Sequence, residues 1–404
     1  MANMYLKLRP PFRAEHIGSL KRPDYLLAAR AAVEKGTANR AELRAEEDKA
    51  IKAVVELQRK AGIKGLTDGE FRRRMFFDGF FDNLGGISFD PELSLDKFME
   101  YVPVTRTYRL LGYKGLPSYL CTGKITRTQP LYLAQFEALK GFVKPEVHSM
   151  ETIQRDLIPS SQEIPNLKLT VCAPEYFHLR HGEYAYPKSV YKTDDAYFAD
   201  IVTAYRAEIA DLYAAGLRNL QFDDPSLAYF CDISMINGMK AAGIDPEALF
   251  DRYLRLYNDI IDGNFKGSVH FAEGSYDAIA IKLFNVLNMD CFYLEYDNER
   301  AGSFEPLKHI PRHKVVVLGL VSSKVPQLES IDDIKKRVHQ AANLIANGTE
   351  KRSEAEALNQ ICISPQCGFA SHFEGNQITD EDMFKKLQRV SQAAQEIWED
   401  ERSI

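Results

Sequence analysis

Short apolar runs alternate with longer stretches of helical spacing along most of the chain. The runs fall at 13–20 (RAEHIGSL), 62–71, 166–174, 217–225, 266–274, 290–297, 314–322 and 359–368. Compact apolar segments bounded by glycine, proline or charge read as buried strands. Between them, 38–62, 194–215 and 330–346 read as helices. In the last of these, Asp332 and Asp333 lie near the start and Lys335 to Arg337 further along, which suits the helix dipole. Eight strand–helix units predict an α/β fold, a (β/α)8 TIM barrel with a parallel sheet. The surplus length sits at 72–165, where RTYRLLGY (106–113) and SYLCTGKIT (118–126) predict a β-hairpin inserted after the second strand. No linker, repeat or low-complexity tract marks a boundary, so residues 1–404 are expected to form a single domain.

The predicted strands end in reactive side chains. In chain order these are His16 to Ser19, Asp68 to Glu70, Asp223 and Asp224, His270, Glu295, Ser322 to Lys324, and Cys367. In a barrel of this kind the C-terminal strand ends converge on one face, where active sites sit. A strand-end carboxylate alone is often a helix cap, and a lone histidine is often a core residue. Seven strands ending this way point to a site. His270, Glu295 and Cys367, from the fifth, sixth and eighth predicted strands, carry ligand types that zinc accepts. Three protein ligands with one open position is the usual catalytic arrangement. Their spacings of 25 and 72 residues form no metal signature by themselves. Cys362, inside the apolar run, is expected to be buried and inert, and Cys367, at its mouth, reactive or metal-bound.

Composition narrows the partners. A net charge of −6 gives no case for nucleic acid or an anionic membrane, and no apolar run approaches a membrane span. Six cysteines without a CxxC pair, and an N-terminus without an apolar signal core, fit a reducing cytoplasm. A small-molecule substrate is expected. The oligomeric state, a homo-oligomer included, stays open.

Several stretches together carry a resemblance: HIGSL (16–20), TDGEFRRRMFF (67–77), LQFDDPSLAYFCD (220–232), YLEYDNERAGSFEPL (293–307), VVVLGLVSSKVPQLES (315–330) and ISPQCGFAS (363–371). In this order the chain resembles the cobalamin-independent methionine synthase superfamily, in its short members that correspond to the C-terminal catalytic barrel. The resemblance implies methyl transfer to the thiol of homocysteine, zinc held by His270, Glu295 and Cys367, and a methylated folate as donor. It places Ser19 in the loop that holds the amino acid, with His16 beside it, and Glu70 and Asp223 on the substrate ammonium, with Asp224 adjacent. In the aromatic and basic segment 174–187, Tyr176, Phe177, His178 and Arg180 would either clamp a planar donor or pack on the barrel rim. Of Arg72, Arg73 and Arg74, one would reach a substrate anion and the others a charged face. Asp297, Glu299 and Arg300 would form a structural network over the mouth.

Two departures stand out. The family strand reads His-x-Cys, and the cysteine is a metal ligand; here that position is Ala272. A strand-7 histidine of the family is replaced by Val321. A zinc with one anionic ligand fewer is a stronger Lewis acid and gives a less nucleophilic thiolate. His372 offers a substitute ligand, though a solvated loop residue is the simpler reading. Three functions follow: alkyl transfer to or from sulfur, a retuned metal-dependent lyase or hydrolase on a small carboxylate or carbonyl substrate, or a non-catalytic binding homologue.

Overall fold

A computed structural model describes residues 11–143, 163–261, 267–271, 274–298, 301–372 and 374–399. Ala272, Glu299 and Arg300 lie outside the described residues.

The framework is a parallel sheet of six consecutive strands; N-terminal to it in sequence lie a separate two-stranded hairpin and two segments outside any sheet. The hairpin strands are β1 (Gly85–Ser94) and β2 (Gly115–Thr126), and the sheet comprises β3 (Lys168–Cys172), β4 (Asn219–Asp224), β5 (Gly267–Phe271), β6 (Cys291–Glu295), β7 (Val315–Val321) and β8 (Ile361–Pro365). Spatial order in the sheet follows chain order. All five residues of β3, β5, β6 and β8 are buried. That is the pattern of a parallel sheet covered on both faces. Helices separate the strands, among them Asp194–Ala214, Pro246–Ile261 and Ile331–Ala346, and the helix Asp380–Glu399 follows the last strand. Helix Arg40–Lys60 opens with a capping box between Asn39 and Glu42. It buries Ala50, Ile51, Val54, Val55 and Gln58 along one stripe, so burial of that face adds to the cap.

The first two expected strands are not strands of the sheet. Residue Ala14 makes a single parallel bridge to Ile363 of β8, flanked by hydrogen bonds from Glu15 N to Ile363 O (2.9 Å) and from Ile363 N to Arg13 O (2.9 Å). On the other side, Lys168 N of β3 donates to Leu66 O (2.8 Å). Contacts between these two segments run largely through side chains. The Thr67 hydroxyl donates to Gly18 O (2.9 Å), and His16 Nε2 is hydrogen-bonded to Gly65 O (3.1 Å). Glycine-rich sequence and side-chain bonds take the place of a regular ladder there.

A second correction concerns the hairpin. RTYRLLGY lies mostly in the helix Pro103–Leu110, and the partner of β2 is β1, with Phe89 opposite Tyr119. Pro103 at the first helical turn starts the helix, and Gly112, at φ 85°, follows its end. β1 escaped notice because Asp90, Pro91 and Glu92 interrupt its apolar pattern.

Candidate metal and substrate site

The sheet register builds the site. Asp223 and His270 are paired across β4 and β5, and His270 pairs with Tyr293 of β6. Paired residues share a face, and so does Glu295, two residues beyond Tyr293. Cys367 follows the end of β8. The donor atoms of His270, Glu295 and Cys367 all lie within 4.8 Å of one another. A tetrahedral zinc with bonds of about 2.0–2.3 Å needs ligand separations of roughly 3.3–3.8 Å. Small side-chain movements would therefore close this group around an ion, and imidazole, carboxylate and thiol form a chemically suitable donor set.

His270 Nε2 lies 3.6 Å from Glu295 Oε1, and its Nδ1 lies 3.7 Å from Asp223 Oδ1. Burial acts to lower the imidazole pKa, but Glu295 and Asp223 outweigh it and the net shift is upward. Cys367 is half-buried, and desolvation together with the Glu295 charge pushes its thiol far up. The thiol is therefore not activated by its protein neighbours; a bound cation in place of the proton would be needed to hold the thiolate. Cys362 is 3% exposed and its thiol is pushed up to about 11 by burial.

Beside this group lies a carboxylate corner. Glu70 adopts φ 62°, a left-handed conformation uncommon for a side-chain-bearing residue. Its N–H donates to Asp68 Oδ1 (2.8 Å), which helps fix the turn. Thr170 Oγ1 donates to Glu70 Oε1 (2.7 Å), and Arg73 Nη1 stands 3.9 Å from the same oxygen. Glu70 Oε2 is buried with no partner. Burial raises the carboxyl to about 7, with Arg73 opposing and Asp223 adding to the rise. Asp223 Oδ1 accepts from Gln221 Nε2 (2.6 Å), which also donates to Ile17 O (2.7 Å). Two adjacent acidic groups, one with an unused oxygen, have the charge and the free acceptor that a small cation such as an ammonium group requires.

Ser19 joins the first segment to the Cys367 loop. Phe369 N donates to Ser19 O (3.0 Å) and Ala370 N to Ser19 Oγ (3.4 Å). A Cβ on Gly368 would come within 2.0 Å of Ser19 Oγ, so glycine is what permits this approach.

Three other expected site residues are committed elsewhere. Asp224 Oδ1 accepts from Ser226 N (2.8 Å) and Leu227 N (2.9 Å), and Oδ2 from the Tyr257 hydroxyl (2.7 Å). His16 is buried against Gly65, and burial lowers its pKa to about 3, so it is neutral. Tyr176 stacks on Phe77 at 5.4 Å, and the Arg180 guanidinium covers its ring at 5.1 Å. The tyrosine is near the site, touching Phe76, whose N–H donates to Ser371 O, but its ring already has partners. Of the three arginines, Arg73 is buried at Glu70, while Arg72 pairs with Asp48 and Arg74 with Glu34. His372 is exposed.

Sequence reasoning passed over Gln221, Thr170 and Gln366, which hold the acidic groups in place. For Gln221 the two-residue strand period was a usable signal, since it precedes Asp223 on the same face.

The catalytic-domain model of the cobalamin-independent synthase family matches residues 186–396. An uncharacterized protein of Bacillus subtilis, YxjG, is 34% identical over 407 residues, covering 96% of each chain. A methionine synthase of Saccharolobus solfataricus is 24% identical over 384 residues, covering 92% of this chain and 95% of that one. Among solved structures, a Listeria monocytogenes protein provisionally assigned as a vitamin-B12-independent methionine synthase superimposes with a TM-score of 0.71. It is 30% identical and covers 97% of this chain and 99% of its own. By sequence over its full span, by the matched catalytic domain and by fold, the chain belongs to the cobalamin-independent methionine synthase superfamily.

Proposed function

We propose that this protein is a zinc-dependent enzyme that transfers a methyl or other alkyl group to or from the sulfur of a small amino-acid thiol, with homocysteine as the reference substrate. The observation that carries the reading is the convergence of His270, Glu295 and Cys367 within 4.8 Å, next to Glu70 and Asp223. The six-stranded sheet would close into a (β/α)8 barrel through the segments at Ala14 and Leu66, which bond to β8 and β3 respectively. Residues 1–404 would then form one domain.

In this reading Glu70 and Asp223 bind the substrate ammonium, and the Ser19 loop lies against the amino-acid end. His270, Glu295 and Cys367 hold the zinc, which supplies a cation able to stabilise a substrate thiolate at neutral pH. A folate donor stacked on Tyr176 has less support, because that ring is already engaged by Phe77 and Arg180.

One feature of the sequence favours a second reading. Ala272 offers no ligand where the family has cysteine, which suits a more Lewis-acidic centre acting on a small carboxylate or carbonyl compound. Ala272→Cys separates the two. Thiol alkylation predicts tighter zinc binding together with faster homocysteine methylation from a methylated folate. Lewis-acid chemistry predicts tighter zinc binding with loss of the native activity, because the added thiolate fills the open position. Loss of the native activity on tighter zinc binding would overturn the alkyl-transfer reading. Metal content of protein purified without added metal, followed by zinc reconstitution, tests the shared premise. No zinc uptake would remove both.

A further inference from the structure

Gln366 immediately precedes Cys367 and is fully buried. It meets all three members of the donor group in different ways. Its Nε2 donates to Glu295 Oε2 at 3.5 Å, its carbonyl oxygen lies 3.3 Å from His270 Nε2, and its own peptide bond carries Cys367. We propose that Gln366 is the positioning residue of the metal-binding group: its carboxamide sets the rotation of the Glu295 carboxylate, and its backbone sets the His270 ring relative to Cys367. The proposal rests on the reading of His270, Glu295 and Cys367 as metal ligands.

The direction of the carboxamide follows from its other neighbours. Lys324 N donates to Ser322 Oγ at 3.3 Å, which leaves the serine proton to be given to Gln366 Oε1 at 2.9 Å. With Oε1 so engaged, the amide nitrogen is the end presented to Glu295. The two carboxylate oxygens are thereby divided: Oε2 faces the amide, and Oε1 faces His270. A glutamate without that donor would rotate, and the metal would have to bear the cost of ordering it.

The support is itself anchored. Gln366 N donates to Val321 O at 2.8 Å. A Cβ on Gly319 would fall 2.7 Å from the Gln366 Cα, so β7 must carry glycine for this residue to sit where it does. Ser322 N donates to Glu329 Oε1 (2.8 Å), and Glu329 pairs with the buried ammonium of Lys386 (2.9 Å), on the helix Asp380–Glu399. The orientation of Glu295 is thus tied to the strand-7 loop and to the last helix. In a site where Ala272 withholds the usual fourth ligand, order among the remaining three donors matters more.

The test uses the full chain with zinc and cobalt(II). Affinity is measured by chelator competition, coordination by the visible spectrum of the cobalt form, and folding by the thermal midpoint of metal-free protein. Gln366→Met keeps the length and removes the amide. Affinity is expected to fall about 10- to 100-fold, with altered cobalt bands, while the metal-free midpoint stays near that of the parent. Ser322→Ala frees the amide without removing it and should give a smaller loss in the same direction, and it decides the question if the methionine variant does not fold. Gln366→Asn, with a shorter reach, should not restore the parent spectrum. Parent-like affinity and spectrum in Gln366→Met, or in Ser322→Ala where only that variant folds, would overturn the positioning role while leaving the metal site intact. Failure of the parent chain to bind either metal would overturn the site and the positioning role together.

Discussion

Asp223 and Asp224 are neighbours at the end of β4, identical in type and both buried, yet they serve opposite sides of the sheet. Asp223 is in register with His270 and lies beside Glu70, and it accepts a hydrogen bond from the Gln221 side chain. Asp224 is in register with Phe271 and turns toward the helix Pro246–Ile261, where Tyr257, Ser226 and Leu227 satisfy it. Desolvation and the Asp224 charge both drive the carboxyl of its buried neighbour Glu175 upward. On the mouth side Glu70 Oε2 has no hydrogen-bond partner; the helix side supplies Asp224 with three donors, although both oxygens of Glu175 there lack one. An incomplete set of donors is what leaves a buried carboxylate able to take a ligand, whereas a completed one makes it part of the scaffold.

The contrast breaks first at the metal. Cys367→Ala removes one of three donors from a half-buried loop. Zinc affinity should fall by about 4 kcal/mol, roughly a thousandfold, with little change in metal-free stability. Unchanged stoichiometric zinc in that variant would exclude Cys367 as a ligand. On the helix side the expectation reverses. Asp224→Ala leaves two N–H groups and the Tyr257 hydroxyl without their acceptor in a dry region. Stability should drop by about 3 kcal/mol in denaturant unfolding, with zinc affinity close to that of the parent. A stable variant with impaired ligand binding would put Asp224 in the site after all.

Glu70→Gln and Asp223→Asn address the same contrast at the ligand. Each keeps the side-chain size and removes a charge. Binding of an amino acid such as methionine should weaken by about 2 kcal/mol in either variant, read by calorimetry. Glu70→Gln should not destabilise the fold, because it also removes the cost of an ionised carboxylate with an unpartnered oxygen. Affinity unchanged from the parent in both variants would mean that the ligand carries no ammonium group.

The outcome also explains what was legible in the sequence. The six sheet strands were visible because each carries a short run with apolar residues bounded by glycine, proline or charge, as in Val315–Val321. The segments at Ala14 and Leu66 have the same apolar look, but their pairing depends on distant partners and on side chains such as His16 and Thr67, which no local pattern encodes. The helix at Pro103 was misread because Tyr108, Leu110 and Tyr113 mimic a strand alternation over a short stretch. The candidate donors His270, Glu295 and Cys367 were visible because they sit at or just beyond strand ends. The residues that hold the acidic groups were not, because glutamine and threonine on a buried face look the same whether they serve a site or a core. Asp224 lies in one motif with Asp223, but the strand period of two turns it to the other face, where Ser226, Leu227 and Tyr257 bind it.

The smallest expected effect is a proton. Glu70 rises from its ordinary range to about 7, burial being the main cause. The ligand-free carboxyl is therefore largely protonated below that pH. An ammonium ligand binds the carboxylate and lowers its pKa, so binding below pH 7 must expel a proton. Affinity should weaken by about tenfold for each pH unit below 7 and level off above it, about 1.4 kcal/mol per unit. Methionine with metal-free protein is the suitable probe, since neither a substrate thiol nor a metal-bound group then contributes. Calorimetry in two buffers of different ionisation enthalpy should show nearly one proton released at pH 6. In Glu70→Gln both the slope and the released proton should vanish, while in Asp224→Asn, provided it folds, both should persist. A parent protein whose methionine affinity is flat from pH 5 to 8 would show that Glu70 is ionised before the ligand arrives, and that its unpartnered oxygen is not the feature separating the mouth side from the helix side.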